Sequence, residues 1–418
     1  AMLQYSSHYI PHIMTTNSHP VLTHFGIMIA AACMLLITLL NCLGTQTFST
    51  VNGVILLFKL IIPVLTAITL LNTSPHSHNW VSAGGFMPYG FKSVFAALPV
   101  AGVIYSFIGF NPAIQMAAET KHPERAIPFA VFGALAVCIL IYVLVQSAFI
   151  VAVPGSSIAH GWHMIHFTGI AAPFVGLLSI AGVLALVKWL FIDATTSPMG
   201  TALVQSMATS RMTLAMINNG YLPKFLATLN SRQAPQRALI LNFCIGVMFL
   251  LPFPSWQKMV GFLSSCMVLG YVVGPMSLMV LEHDASLQKR GINWHTHILS
   301  VCALTICSLM IYWSGWAVVQ KMVWVFAIGY MALYIMQLHR PAMRQQLARH
   351  HVIRGCWVWF YILSLAVLSY CGSFGGQHWI SFGDDFIWAG ILSLATYAIA
   401  FQCIRKREIT SQPDAASI

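Results

Sequence analysis

Long apolar runs, interrupted at intervals by short polar or charged stretches, set the pattern of this chain. A helix needs roughly 20 mostly apolar residues to cross a bilayer. Eleven segments meet that description, at about 21–42, 51–72, 95–118, 129–153, 173–198, 237–252, 258–281, 296–313, 318–338, 352–371 and 383–404. The sixth is short and ends at Leu251-Pro252-Phe253-Pro254, and Pro and Gly mark most of the other boundaries. The pattern predicts an all-α integral membrane protein with about 11 transmembrane helices. It forms one polytopic domain over residues 1–418 with a tail at 405–418. Ala1-Met2-Leu3 lacks the basic start of a signal peptide.

Composition agrees. Of the 418 residues, 58% are apolar and only 7% charged, against about 25% charged in a soluble domain. So few charges cannot coat a water-soluble surface of this size. This excludes a cytosolic enzyme, a nucleic-acid binder and a disordered chain. A net charge of +11 would suit nucleic acid, but the bases form no stripe. They sort by side instead. Alternate gaps and the tail hold fifteen: Lys121, Arg125, Arg211, Lys224, Arg232, Arg237, Lys289, Arg290, Arg340, Arg344, Arg349, Arg354, Arg405, Lys406 and Arg407. The other gaps hold three, Lys92, Lys258 and Lys321. By the positive-inside rule the C-terminus is cytoplasmic. Eleven spans then put the first residues outside. Residues 1–20 carry no Lys or Arg, and 3–14 read as the frayed end of a preceding apolar element. Either the chain is unusual or an odd number of spans is missing upstream, and the second is expected, an N-terminally truncated chain.

Two bases remain, Lys59 and Lys188, inside spans. A charge near the bilayer centre costs at least about 2.5–3.5 kcal/mol. Lys59, in Phe58-Lys59-Leu60, is either a proton carrier facing the protein interior or a snorkelling lysine. Asp193 shares a span with Lys188. Five residues on a helix turn by about 140°, so the two do not face each other. Asp193 precedes Ala194-Thr195-Thr196-Ser197-Pro198, whose hydroxyls and freed carbonyls suit a small cation; the alternative is a structural tie to backbone. Gly102, Gly109 and Pro112 inside the third span predict a broken helix, tolerated where the freed backbone lines a cavity, or else a proline kink. Ala118 to Pro128 is a charged turn.

The seventeen histidines lie almost all in loops or at span ends, where haem ligation does not occur. His160, His163 and His166 have ligand-like spacing but read as interfacial residues, so no metal is expected. Ten cysteines without a CxxC spacing read as small buried hydrophobes. No nucleotide-binding or hydrolase motif is present, so no cofactor and no enzymatic engine are expected.

The stretch Ser106-Phe107-Ile108-Gly109-Phe110, with Glu119, Pro123, Arg125, Ile127 and Pro128, resembles the sixth helix and following loop of the amino acid–polyamine–organocation transporters. Thr209-Ser210-Arg211, then Asn219-Gly220-Tyr221-Leu222-Pro223-Lys224-Phe225 and Ala234-Pro235-Gln236-Arg237-Ala238, is similar to the loop after that family's eighth helix. Leu251 to Trp256, Tyr312 to Trp316, Ser369 to Gly375, and Phe58-Lys59 with Pro63 resemble the bacterial aspartate–proton symporter branch. The resemblance covers nearly the whole chain, as helices four to fourteen of a fourteen-helix pattern. The family often has an acid after Gly-Phe, where this chain has Asn111-Pro112.

The resemblance implies the LeuT-type inverted-repeat fold, with substrate bound at broken helices. It assigns Tyr105, Ser106, Phe107, Ile108, Gly109 and Asn111 to substrate contacts, and Lys59, Asp193, Thr196 and Ser197 to proton coupling. It places the protein in the bacterial inner membrane. The partners are an amino acid, protons and the lipid bilayer, with no nucleic acid, and the chain is a monomer or weak homodimer. The function expected is proton-coupled symport of an acidic or small amino acid by alternating access. The alternatives are an amino acid or amine antiporter, or a truncated remnant that does not transport.

Overall fold

The computed structural model describes the chain apart from residues 1–2, 4–5, 8–9, 11, 16–20, 44, 74–75, 83, 116, 118–119, 160, 166–172, 232–233, 251–255, 286–293, 340–355 and 412–418. Helices account for nearly all of it, and no strand occurs among the described residues. The chain divides into two compact units where the sequence suggests one domain. The first is Ala1–Pro88 with Gly109–Trp256, the second Tyr89–Ile108 with Gln257–Ile418.

The first unit holds α1 (His24–Cys42) and α2 (Thr45–Thr73), and later in the chain α5 (Asn111–Gln115), α6 (Pro123–Ala152), α7 (Pro173–Ile180), α8 (Leu184–Asn218) and α9 (Gln236–Leu250). The second holds α3 (Gly90–Val100), α4 (Val103–Phe107), α10 (Trp256–Tyr271), α11 (Val273–Ala285), α12 (Trp294–Tyr312), α13 (Trp316–His339), α14 (Cys356–Cys371) and α15 (Asp384–Ser411). Each unit has its own apolar core. In the first, Ala67, Leu70, Ala148, Leu177 and Leu178 join α2, α6 and α7. In the second, Leu304, Ile311, Tyr312, Tyr361, Leu365 and Ala389 join α12, α14 and α15.

Helix ends follow local chemistry. Thr23 caps α1, its Oγ1 accepting from Gly26 N at 3.0 Å. Pro123 and Glu124 open α6, a first turn whose missing N–H and negative charge both suit a helix start. Asp384 and Asp385 do the same by charge for α15. Of the segment 3–14, residues 12–14 pack against the start of α1, where Thr23 Oγ1 donates to the carbonyl of His12 at 2.6 Å.

Among the described residues, six helices are long and apolar enough to cross a membrane: His24–Cys42, Gly53–Thr73, Pro123–Ala152, Phe262–Leu281, Trp294–Tyr312 and Asp384–Cys403. The pair α3 and α4 adds a seventh if counted as one span, and Gln236–Leu250, Trp316–Ala332 and Trp357–Cys371 are shorter apolar helices. The remaining apolar segment, 173–198, is α7 plus the first part of α8. Its end differs from the sequence expectation. The chain breaks at Ala181-Gly182, and the helix runs on through Pro198 to Asn218. A proline removes one hydrogen bond from a helix without ending it when neighbours hold the flanking turns.

Outward faces are strongly apolar: on α6, Phe129 is 83% exposed and Leu140 is 71% exposed. Such a surface is unstable in water and at home in lipid. Of the ten cysteines, the nine whose side chains are described form no disulfide; seven are half-buried, while Cys244 and Cys302 face outward. They are small apolar fillers, less covered than the sequence suggests.

Candidate functional site

In the first unit, α2 crosses α8 closely because Gly200 carries no side chain. A Cβ at Gly200 would lie 2.7 Å from Ile55 Cγ2. One turn after Ile55 comes Lys59, whose Nζ donates to Thr201 Oγ1 at 2.5 Å. Thr201 Oγ1 in turn donates to the carbonyl of Ser197 at 3.2 Å. On the same side, the ring of Phe58 meets that of Trp189 with centroids 5.7 Å apart.

Asp193 lies two turns before Thr201 on α8. It is 8% exposed, and its Oδ1 has no hydrogen-bond partner among the described residues. Lys59 and Asp193 interact electrostatically without closing to ion-pair distance. At 100° per residue, Ser197 sits about 40° and Thr196 about 60° from Asp193 around α8, so the three share a face. Thr196 Oγ1 donates to the carbonyl of Ile192 at 2.8 Å. Pro198 has no N–H to give to the carbonyl of Ala194 four residues back. Lys59, Asp193, Thr196 and Ser197 are therefore gathered on one seam. Lys188 is exposed and lies off it.

The seam contains an ammonium, a buried carboxylate with a spare oxygen, the hydroxyls of Thr196, Ser197 and Thr201, and a bared carbonyl. An unsatisfied oxygen in an apolar interior is costly. The arrangement is suited to take a proton or a small cation, and to let it go.

The other set of expected residues falls at the broken helix. The chain bends by 52° between Gly90–Val100 and Val103–Ile114. The break is at Gly102, whose φ of +84° is open to glycine and strained for other residues. Gly102 also abuts α10, where an added Cβ would lie 3.2 Å from Val260 Cγ1. Ser106 turns back on the break: both its N and its Oγ donate to the Gly102 carbonyl, each at 3.0 Å. Ile108 buries its side chain in the core of the second unit, so only its backbone remains to meet a ligand. That carbonyl accepts from Tyr271 Oη at 3.4 Å. Tyr105 and Phe107 are half-buried, and Gly109 is exposed. Tyr105 to Ile108 belong to the second unit; Gly109 and Asn111 belong to the first.

Three polar residues on these helices escaped the sequence reading. Thr201 is legible after the fact, since it follows Ser197 by four residues on the Asp193 face. Asn41, buried on α1, donates from Nδ2 to the carbonyl of Leu203 at 3.3 Å; an amide inside an apolar run was the available signal. Tyr271 gave no signal, because a lone tyrosine in a span is usually packing. The loop after α8 is tied down at two points: Arg237 Nη1 of α9 donates to the carbonyl of Phe225 at 2.5 Å, and Asn230 Nδ2 donates to that of Cys42 at 2.8 Å. These bonds give the polar residues of that loop a structural role. No cluster of metal-ligating side chains occurs among the described residues. His160, His166, Glu119, Arg232, Lys289, Arg290, Arg340, Arg344, Arg349, Arg354 and Leu251 to Ser255 lie outside them.

Outward apolar helices and a broken helix in one unit, with a charged seam between helices in the other, define a multi-pass helical membrane transporter. The chain belongs to the amino acid permease family, whose model matches residues 3–336. It is 33% identical over 389 residues to the glutamate/serine transporter AimA of Bacillus subtilis, covering 91% of this chain and 70% of that one. It is 30% identical over 404 residues to the aspartate-proton symporter of the same organism, covering 95% and 76%. The branched-chain amino acid permease BcaP, also from B. subtilis, is 25% identical over 305 residues, covering 71% and 61%. The chain is a secondary amino acid transporter, as the resemblance in its motifs implied.

Proposed function

We propose that this transporter is a proton-coupled symporter of an acidic or small amino acid, working by alternating access in a bacterial plasma membrane. The observation that carries the coupling is the seam between α2 and α8. Lys59 is held by Thr201, and Asp193 is buried with an unused carboxylate oxygen. Lys59 gives and takes the proton, and Asp193 balances the charge as it moves. Thr196 and Ser197 line the same face of α8. Substrate amino and carboxylate groups meet residues of the segment Tyr105 to Asn111, which follows the break at Gly102. The names of the two relatives at 30% identity or above, a glutamate/serine transporter and an aspartate-proton symporter, support an acidic or small substrate. The C-terminus faces the cytoplasm, in keeping with fifteen bases against three.

The test is uptake of labelled amino acids into proteoliposomes, with and without an imposed proton gradient. Acidic and small amino acids should accumulate only with the gradient, and Lys59→Ala should abolish that dependence. Gradient-driven uptake by Lys59→Ala at the unsubstituted rate overturns the role of Lys59. Counterflow that ignores the gradient in the unsubstituted protein overturns symport.

A further inference from the structure

The second unit contains a buried carboxylate that the coupling seam does not use. Asp385, in the first turn of α15, is 0% exposed. No cationic side chain reaches ion-pair distance of it among the described residues. Its oxygens are instead met by neutral donors. Gly383 N donates to Oδ1 at 2.9 Å, and Ser373 Oγ donates to Oδ2 at 3.2 Å. Tyr312 Oη accepts from Ser373 N at 2.9 Å. The loop from α14 to α15 closes tightly on this group. Gln377 N donates to the carbonyl of Tyr370 at 2.7 Å, and Ile380 N to that of Cys371 at 3.0 Å. The positive end of α15 adds to the stabilisation of the charge.

A carboxylate with a donor on each oxygen and no cation beside it holds its surroundings rather than trading protons. What it holds is an aromatic seat. Phe386, the next residue, stands edge-on to Phe95 of α3 at 5.4 Å and 5.9 Å from Trp313. Phe95 stacks on Trp313 at 4.6 Å. Phe374, in the closed loop, meets Tyr312 at 5.3 Å and lies 5.7 Å from the Lys92 ammonium of α3. Thus α3, the helical piece before the break at Gly102, rests through Phe95 and Lys92 on residues that Asp385 ties in place. Aromatic contacts of this kind exceed their area value and depend on ring geometry.

We propose that Asp385 is a positioning residue for transport: by fixing the loop and Tyr312 it seats α3, and so sets the break that carries Tyr105 to Ile108. This rests on the reading of those residues as substrate contacts. The test is a double-mutant cycle between Asp385 and Phe95, which do not touch each other through the carboxylate. In proteoliposomes carrying equal amounts of protein, Asp385→Ala and Phe95→Ala should each raise the KM for uptake by about tenfold, and the double variant no further. Asp385→Asn, which keeps the acceptor for Gly383 N, should return KM to within about threefold of the unsubstituted protein. An unchanged KM in Asp385→Ala, or effects of the two substitutions that multiply, overturns the proposal. The same cycle read by thermal unfolding in detergent needs no transport. If the unsubstituted protein takes up no amino acid, the reading of the break fails. Non-additive unfolding of the pair then still supports the seating of α3, and additive unfolding overturns it.

Discussion

Asp193 and Asp385 are both buried carboxylates at helices of a membrane protein, and they are treated in opposite ways. Asp385 has hydrogen bonds on both oxygens, and its charge sits at a helix start. Asp193 lies in the body of α8, with one oxygen unpartnered and an ammonium in electrostatic reach but not in contact. A group whose bonds are all made is costly to disturb and serves as a fixed point. A group left short of bonds is a cost to the fold that the protein retains for another reason, and in a membrane interior that reason is usually function. The two units therefore differ in role. The first leaves an oxygen of Asp193 unpartnered on its seam, while the second gives each oxygen of Asp385 a donor and builds a seat beside it.

The sharpest break of this comparison is to neutralise each acid and read both transport and stability. Asp193→Asn should lower gradient-driven uptake by about 100-fold, because the proton transfer at Lys59 loses the charge that balances it. It should leave the melting temperature unchanged or raised, since a poorly compensated charge has gone. Asp385→Ala should do the reverse on stability, because it strands Gly383 N and the Ser373 hydroxyl, at about 1–3 kcal/mol. Thermal unfolding and uptake on the same preparations check both. If Asp193→Asn destabilises as much as Asp385→Ala, the carboxylate on α8 is a structural tie and the contrast collapses.

The glycines at the two places sharpen it next. A Cβ at Gly372 would overlap Tyr312 Oη and lie 2.5 Å from Cε2, atoms of a fully buried ring whose hydroxyl accepts from Ser373 N. Gly372→Ala should cost about 2–3 kcal/mol, at the upper end for overpacking. At Gly200 the obstacle is the Ile55 side chain, which can change rotamer. Gly200→Ala should cost about 1 kcal/mol or less, the lower end for overpacking, yet still lower uptake by spreading α2 from α8. Equal destabilisation at the two positions, read by thermal unfolding, would mean that the seam is as tightly built as the seat.

Much of the fold was legible because the bilayer imposes simple rules. Among the described residues, every apolar segment read from the sequence is mainly helical, some in more than one piece, since in lipid no other open structure satisfies the backbone. The ends were less legible. Ser197-Pro198 reads as a stop, but the turns around Pro198 are held by packing on α2, a tertiary effect the local sequence does not contain. Gly102 was one of three candidate positions for the break, and its packing on Val260 rather than its type decides between them. At the seam, Lys59 and Asp193 stood out by charge alone. Thr201 did not, because a hydroxyl inside a helix commonly bonds its own preceding turn, and only the arrival of Lys59 gives it a second role. Asp385 was passed over as the end of a span. Its burial comes from a loop folding back over it, which no periodicity encodes.

Thr201 allows the most delicate test, because it distinguishes a seam that merely contains Lys59 from one that aims it. The hydroxyl accepts from Nζ while donating to the Ser197 carbonyl, so it is a bridge between the lysine and the turn that Asp193 faces. Thr201→Val keeps the shape and removes both bonds; Thr201→Ser keeps the bonds and removes a methyl. Val should slow gradient-driven uptake by about two- to tenfold, the value of one partly exposed hydrogen bond, and Ser should restore it. Equal slowing by Ser and Val would show that the methyl packing matters and the bond does not. Lys59 would then be oriented by Asp193 alone, and the seam would need only its two charges to work.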